Sequence, residues 1–157
     1  MILKAKINAG SLRKFEINMN ELIGKVERQG KREAIVKAAR PIVREAKRRA
    51  PVRSGLLKKS IKAKARTYKK NGLIMVLIGS DRRTKGTYRR PGSEIEELVT
   101  PSNYASRVEF GHSRAPAHPF LRPAFDAKKG ESLAIYKREI GRSIKKVGAR
   151  LSRRVKF

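Results

Sequence analysis

The order of segments in this chain predicts an α+β fold, with N-terminal helices and a long C-terminal helix packed on an antiparallel β-sheet. Three observations predict it. Apolar residues between Lys31 and Arg49 recur at helical spacing. An apolar–polar alternation from Leu57 to Ala65 leads through Lys69-Lys70-Asn71-Gly72 into an apolar run, Leu73 to Gly79, which is the pattern of a β-hairpin. A single apolar stripe then runs from Leu133 to Leu151.

Leu3 to Asn8 alternates Leu, Ile and Ala with Lys and Asn, which predicts a short strand. Asn20 to Arg28 sets Leu22, Ile23 and Val26 on one helical face, and Gly30 punctuates. In the Lys31 to Arg49 helix, Ile35, Ala38, Ala39, Ile42, Val43 and Ala46 form the inner face, with Lys, Arg and Glu opposite. Pro41 lacks a backbone donor and should kink or divide this helix. Pro51 should stop it. After a turn at Ser54-Gly55, Leu57, Ile61, Ala63 and Ala65 alternate with Lys58, Ser60, Lys62 and Lys64. That is a half-buried strand with a cationic outer face. Asn71-Gly72 tolerates positive φ at both corners of a tight hairpin. Leu73 to Gly79, apolar throughout, is expected to be the central strand.

Residues 80–103 form a long polar loop that carries the only dense acidic cluster, Glu94, Glu96 and Glu97. Loops of this length in a compact domain are uncommon and usually functional or disordered. Ala105 to Phe110 is expected to be a third strand ending in a sharp turn at Gly111. The last helix should begin near Arg122, after a proline-bracketed turn. Leu133, Tyr136, Ile140, Ile144, Val147 and Leu151 keep one stripe, although Gly141 and Gly148 weaken it. The expected organisation is one α+β domain, residues 1–144, with the charged loop 80–103 inside it and a basic tail, 145–157. There is no internal repeat.

A chain of 157 residues can bury a real core, since a domain of about 150 residues hides roughly 68–70% of the surface its unfolded chain exposes. The formal net charge is +28, from 41 Lys and Arg against 13 Asp and Glu. Such a chain repels itself when compact and attracts polyanions, nucleic acid first and acidic protein surfaces second. There is no cysteine, which excludes disulfides, thiolate ligands and thiol nucleophiles. No apolar run approaches the length of a membrane span. The N-terminus has no secretion-signal pattern.

The residues offer little to catalysis. The two histidines, His112 and His118, share one short Gly/Pro segment, and a zinc site would need two more ligands. The acidic cluster is contiguous, whereas a metal-dependent nuclease needs carboxylates that converge from separate elements. It reads instead as a subunit-docking loop facing a basic surface. No phosphate loop is present, and no cofactor is expected. Basic pairs are spread over the whole chain. Candidate contacts to DNA or an acidic partner are Lys58, Lys62 and Lys64 on the strand face and Lys145, Lys146, Arg150, Arg153 and Arg154 in the tail. A diffuse pattern suits backbone neutralisation more than base reading.

Three segments carry a resemblance. Ala50-Pro-Val-Arg-Ser-Gly-Leu-Leu-Lys-Lys-Ser-Ile61 contains Pro51, Gly55 and Leu56. Tyr104-Ala-Ser-Arg-Val-Glu-Phe-Gly111 contains Tyr104, Ala105, Glu109, Phe110 and Gly111. Pro119-Phe-Leu-Arg-Pro-Ala124 contains Pro119, Phe120 and Pro123. Together and in this order they resemble the tailed-bacteriophage neck and tail-completion proteins, the gene-product-ten-like family, over roughly Lys31 to Ile144. The long loop and the basic tail depart from that pattern.

The resemblance implies a non-catalytic virion protein at the head–tail junction, forming or joining a ring around the DNA channel. A tail terminator capping the tube is the nearest variant. Implied partners are further copies of the chain, other neck, head-completion and tail-tube proteins, and packaged DNA by non-specific contact. Implied localisation is the virion, with the host cytoplasm during assembly and no membrane. Glu109, poorly suited to a core, is expected to pair with Arg107, Arg122 or a neighbouring subunit. A basic, ribosome-associated RNA-binding protein is the main competitor, and a nuclease the third; the first lacks a recognised RNA module and the second the carboxylate constellation.

Overall fold

The computed structural model describes residues 9–68, 72–89 and 91–154. The expected strand at Leu3 to Asn8 and the hairpin corner at Lys69 to Asn71 lie outside them, as do the side chains of Leu22, Ile23, Val26, Arg150, Leu151, Arg153 and Arg154. The elements are α1 (Ala9–Arg49), α2 (Leu56–Ser60), β1 (Ile61–Tyr68), β2 (Leu73–Ser80), β3 (Gly86–Arg89), β4 (Glu96–Val99), a 3-10 turn (Pro101–Asn103), α3 (Ala105–Phe110) and α4 (Leu121–Arg154). The α+β class is as expected.

Helix α1 is continuous, not broken at Gly30 or Pro41. Its 41 residues span about 61 Å at 1.5 Å per residue. Tertiary packing explains the continuity. Helix α4 runs antiparallel beside α1, so that Gly30 faces Ser143, Lys37 pairs with Glu139, and Ser132 Oγ donates to the Ala38 carbonyl at 2.7 Å. A Cβ at Gly30 would collide with the Ser143 side chain, so this glycine permits close helix approach. Ala34, Ala38 and Ala46 are buried along the same seam. Pro41 is itself buried there, and packing of this seam offsets the roughly 3 kcal/mol that a mid-helix proline costs.

Strands β1 and β2 pair antiparallel from Ile61↔Ser80 to Tyr68↔Leu73. Ala63, Ala65, Ile74, Val76 and Ile78 are half-buried on the face that packs toward α1, while Lys62, Lys64 and Arg66 point outward as expected. At its lower end, Ile78 meets Leu121 and Phe125 from the first turns of α4. Three corrections follow. The half-buried strand expected from Leu57 starts only at Ile61, because Leu56–Ser60 is helix α2, so Lys58 lies on a helix and not on the strand face. Strand β2 is not central: among the described residues its sheet has two strands. The expected third strand is helix α3. Its buried or half-buried residues are Tyr104, Ala105, Val108 and Glu109, a three-to-four spacing, while Phe110 is exposed. A strand would have put Val108 and Phe110 on one face. Six residues between a 3-10 turn and a glycine are too few for periodicity to separate the two readings.

Residues 80–103 are not structureless either. They fold into a small hairpin in which β3 and β4 pair antiparallel, Gly86↔Val99 to Arg89↔Glu96. Thr87, Tyr88, Leu98 and Val99 are strand formers, and Gly92 turns at φ 83°. The hairpin docks by Gly86 against Leu56, where any Cβ would strike the Leu56 side chain. The core lies where these parts meet: Ala46, Ala50, Leu57, Ile61, Phe120 and Ala124, with Val43, Tyr104, Ala105, Val108 and Leu121 packed around them.

Candidate functional site

The three sequence motifs converge on this core. Ala50 and Leu57 come from the first, Tyr104, Ala105 and Val108 from the second, and Phe120 and Ala124 from the third. Phe120 is the largest fully buried side chain among the described residues. Gly55 adopts φ 72° as the lead-in to α2, which continues a chain just stopped at Pro51.

Glu109 locks the second motif to the third. Its carboxylate accepts the backbone N–H groups of Phe120 (2.7 Å), Leu121 (2.9 Å) and Arg122 (3.0 Å). A helix leaves its first four N–H groups without intrahelical partners. In α4 those belong to Phe120, Leu121, Arg122 and residue 123, and Pro123 has no N–H. One buried carboxylate therefore takes all three donors, and the proline leaves no fourth. The expected partners were Arg107, Arg122 or a neighbour; the hydrogen-bond partners are backbone groups instead. Burial opposes the charge on Glu109, but the three N–H bonds and the attraction of Arg122 outweigh it and hold the carboxyl below its usual range. The Arg122 guanidinium itself sits over the Phe110 ring at 4.7 Å.

Gly111 closes α3. It has φ 76°, donates to the Arg107 carbonyl at 2.8 Å, and leaves no room for a side chain: a Cβ would lie 2.8 Å from the Ala117 nitrogen. Beyond it, His112 and Ala115 exchange two backbone hydrogen bonds of 3.0 Å, and the His118 N–H donates to the Val108 carbonyl at 2.8 Å. Both imidazoles are thus loop histidines on an exposed turn. Among the described residues, no three His, Asp or Glu side chains are grouped to hold a metal.

A groove of about 490 Å³ opens beside the core. Arg53 and Arg107 give it cationic walls, His112 and His118 imidazole ones, and Tyr88 and Tyr104 aromatic ones. Arg53 lies 5.1 Å from the Tyr88 ring centre, a cation–π contact. Burial pushes the Tyr104 hydroxyl pKa up, against a hydrogen bond with Ser54. Glu97 also lines this groove, whereas Glu94 and Glu96 lie on the exposed hairpin, where Arg89 and Glu96 are 3.7 Å apart. The groove has the chemistry to hold an acidic or aromatic side chain.

The structure does not gather the predicted basic contacts into one patch. Lys62 and Lys64 both reach Asp81, at 3.4 and 2.5 Å, and hold its carboxyl pKa down at about 2 with help from the Arg83 backbone N–H. Lys58 is on α2, beside Glu45 and Arg48. Lys145 and Lys146 are exposed on the far half of α4. Sequence reasoning missed Asp81, Glu45 and Glu139 as charge anchors. Arg48 and Arg49 hold the Glu45 carboxyl at about 2, and Lys37 with Arg142 lowers that of Glu139. Each is one acid among bases in the linear sequence, with nothing there to mark it as buried.

A site built from packing residues beside a cationic groove defines a protein whose motifs serve its folding. Residues 13–111, more than half of the chain, match the HK97-gp10_like family model, described as "Bacteriophage HK97-gp10, putative tail-component". The chain belongs to this family and is a phage tail-associated structural component. The match contains the first two motifs; the third lies beyond it, tied to the second through Glu109. Neither a curated protein nor a solved structure matches the chain.

Proposed function

We propose that this chain is a virion structural protein of the phage head–tail junction. It forms or joins a ring around the DNA channel between the portal and head-completion complex and the tail. The observation that carries this reading is family membership over residues 13–111, with both matched motifs committed to one packing junction. The +28 charge supports it, because a ring lining a DNA path meets a polyanion. The protein would reside in the virion and in the host cytoplasm during assembly. Its neighbours would be further copies of itself and other neck, head-completion and tail-tube proteins. Among the described residues no helix is long and apolar enough to cross a membrane.

The test is a phage in which this gene is silenced, examined by electron microscopy. The expected result is DNA-filled heads and separate tails that fail to join, restored by supplying the protein. Tails of abnormal length would favour a terminator capping the tube. Normal virions would sink both.

A further inference from the structure

The outer face of the β1–β2 hairpin is unusual for an exposed sheet. Antiparallel sheets with one wet face normally alternate apolar inside and polar outside. Strand β1 obeys this with Lys62, Lys64 and Arg66. Strand β2 does not: Leu73, Met75 and Leu77 face outward with 52, 40 and 44% exposure, beside Tyr68 at 44%. They stand directly across from the cations, Arg66↔Met75 and Lys64↔Leu77. Among the described residues β2 also has no strand on its other side, and Leu73 to Ser80 contains no charge and no proline. Long, uncharged, apolar edges are the ones that pair with other chains.

The same chain carries a surface of opposite character. On the β3–β4 hairpin, Ile95 and Leu98 are 72 and 68% exposed, beside Glu94 and Glu96. The first surface is apolar with a basic flank; the second is apolar at Ile95 and Leu98 with Glu94 beside them, Glu96 being paired with Arg89 across the hairpin, and within one chain both stay exposed. We propose that they dock on each other between copies: the β3–β4 hairpin of one subunit lies on the outer β1–β2 face of the next. Ile95 and Leu98 then cover Leu73, Met75 and Leu77, while Glu94 meets Arg66. Such a contact joins two different patches and is head-to-tail, the kind that closes into rings. Pairing of β2 with β2 of a second copy would leave Ile95 and Leu98 bare. The inference rests on the ring reading and names its interface.

The chain has no cysteine, so a cysteine pair gives an unambiguous readout. The full chain carrying Met75→Cys and Ile95→Cys is oxidised and run without reductant, alongside each single variant and light scattering of the parent. The expected result is a ladder of dimers, trimers and higher multimers from the double variant alone. In addition Ile95→Asp with Leu98→Asp, at exposed positions, should weaken self-association at least tenfold while circular dichroism is unchanged. A Met75→Cys single variant that stops at dimers would overturn the inference in favour of β2 self-pairing. A discrete ring by light scattering with no ladder would overturn it and leave the ring standing. A monomer at every concentration, with no ladder, would overturn this interface, while the head–tail joining defect would be judged separately by microscopy.

Discussion

At the scale of the residue, Glu109 decides how the second and third motifs are joined. Replacing it with Ala strands three N–H groups at the start of α4, and leaving buried donors unsatisfied costs about 1–3 kcal/mol each before any water is admitted. Glu109→Ala is expected to lower the stability by about 3 kcal/mol in total, measured by urea unfolding. The pH dependence has a definite sign. The folded pKa of Glu109 is depressed, so its contribution is complete above the unfolded value of about 4.3 and disappears as pH falls through the folded value. The difference in Tm between the parent and Glu109→Gln should therefore be largest near neutrality and shrink below about pH 4. Asp81 and Glu45, each near 2, continue the loss to lower pH. Gly111 is the second residue-scale constraint. Gly111→Ala combines a positive φ with a backbone collision and should cost about 1–3 kcal/mol, whereas Gly72→Ala, with open space around it, carries only the φ penalty.

At the scale of the element, the molecule depends on a seam and a junction. Helices α1 and α4 approach closely because Gly30, Ala34 and Ala38 are small and because Ser132 bonds across the gap. Ala38→Leu would overpack this seam and should destabilise by about 1–3 kcal/mol. Phe120 fills the junction of all three motifs. Phe120→Ala should cost about 3–5 kcal/mol by thermal or chemical denaturation, the range of a large side chain removed from a packed core. Much of this was legible beforehand. The stripe from Ile35 to Ala46 and the hairpin pairing from Ile61 to Ser80 are legible, because each spans enough residues for its period to show, but the first residues of the expected strand, Leu57 to Ser60, are helix α2. Helix α3 was not, because six residues carry no period and its burial comes from neighbours distant in sequence. The β3–β4 hairpin was also hidden: its strands have four residues each, separated by polar turn formers.

At the scale of the whole molecule, charge is distributed and not focused. The described acids mostly sit beside bases: Glu45 with Arg48 and Arg49, Glu139 with Lys37 and Arg142, Asp81 with Lys62 and Lys64. The surplus cations face outward on several elements. Duplex DNA binding, if it occurs in the channel proposed above, should therefore be non-specific and strongly salt-dependent, with log K falling by about 0.9 per phosphate neutralised for each tenfold rise in salt. Lys145→Glu with Lys146→Glu, both exposed on α4, should reduce that slope by about 2 without changing the fold, measured by fluorescence anisotropy over a salt series. An unchanged slope would remove the far half of α4 from the DNA path.

By itself the sequence determined the α+β class, the long helices, the β1–β2 hairpin, the absence of cysteine chemistry and the family, since periodicity, composition and ordered motifs are properties of the linear chain. Only the tertiary structure decided that α1 runs unbroken past Gly30 and Pro41, that the Glu109 carboxylate holds the start of α4, that β2 is an edge with an exposed apolar row, and that Asp81 binds the lysines of β1. Each of these depends on which residues far apart in sequence come within a few ångströms of each other, and a backbone donor has no letter in the sequence to mark it.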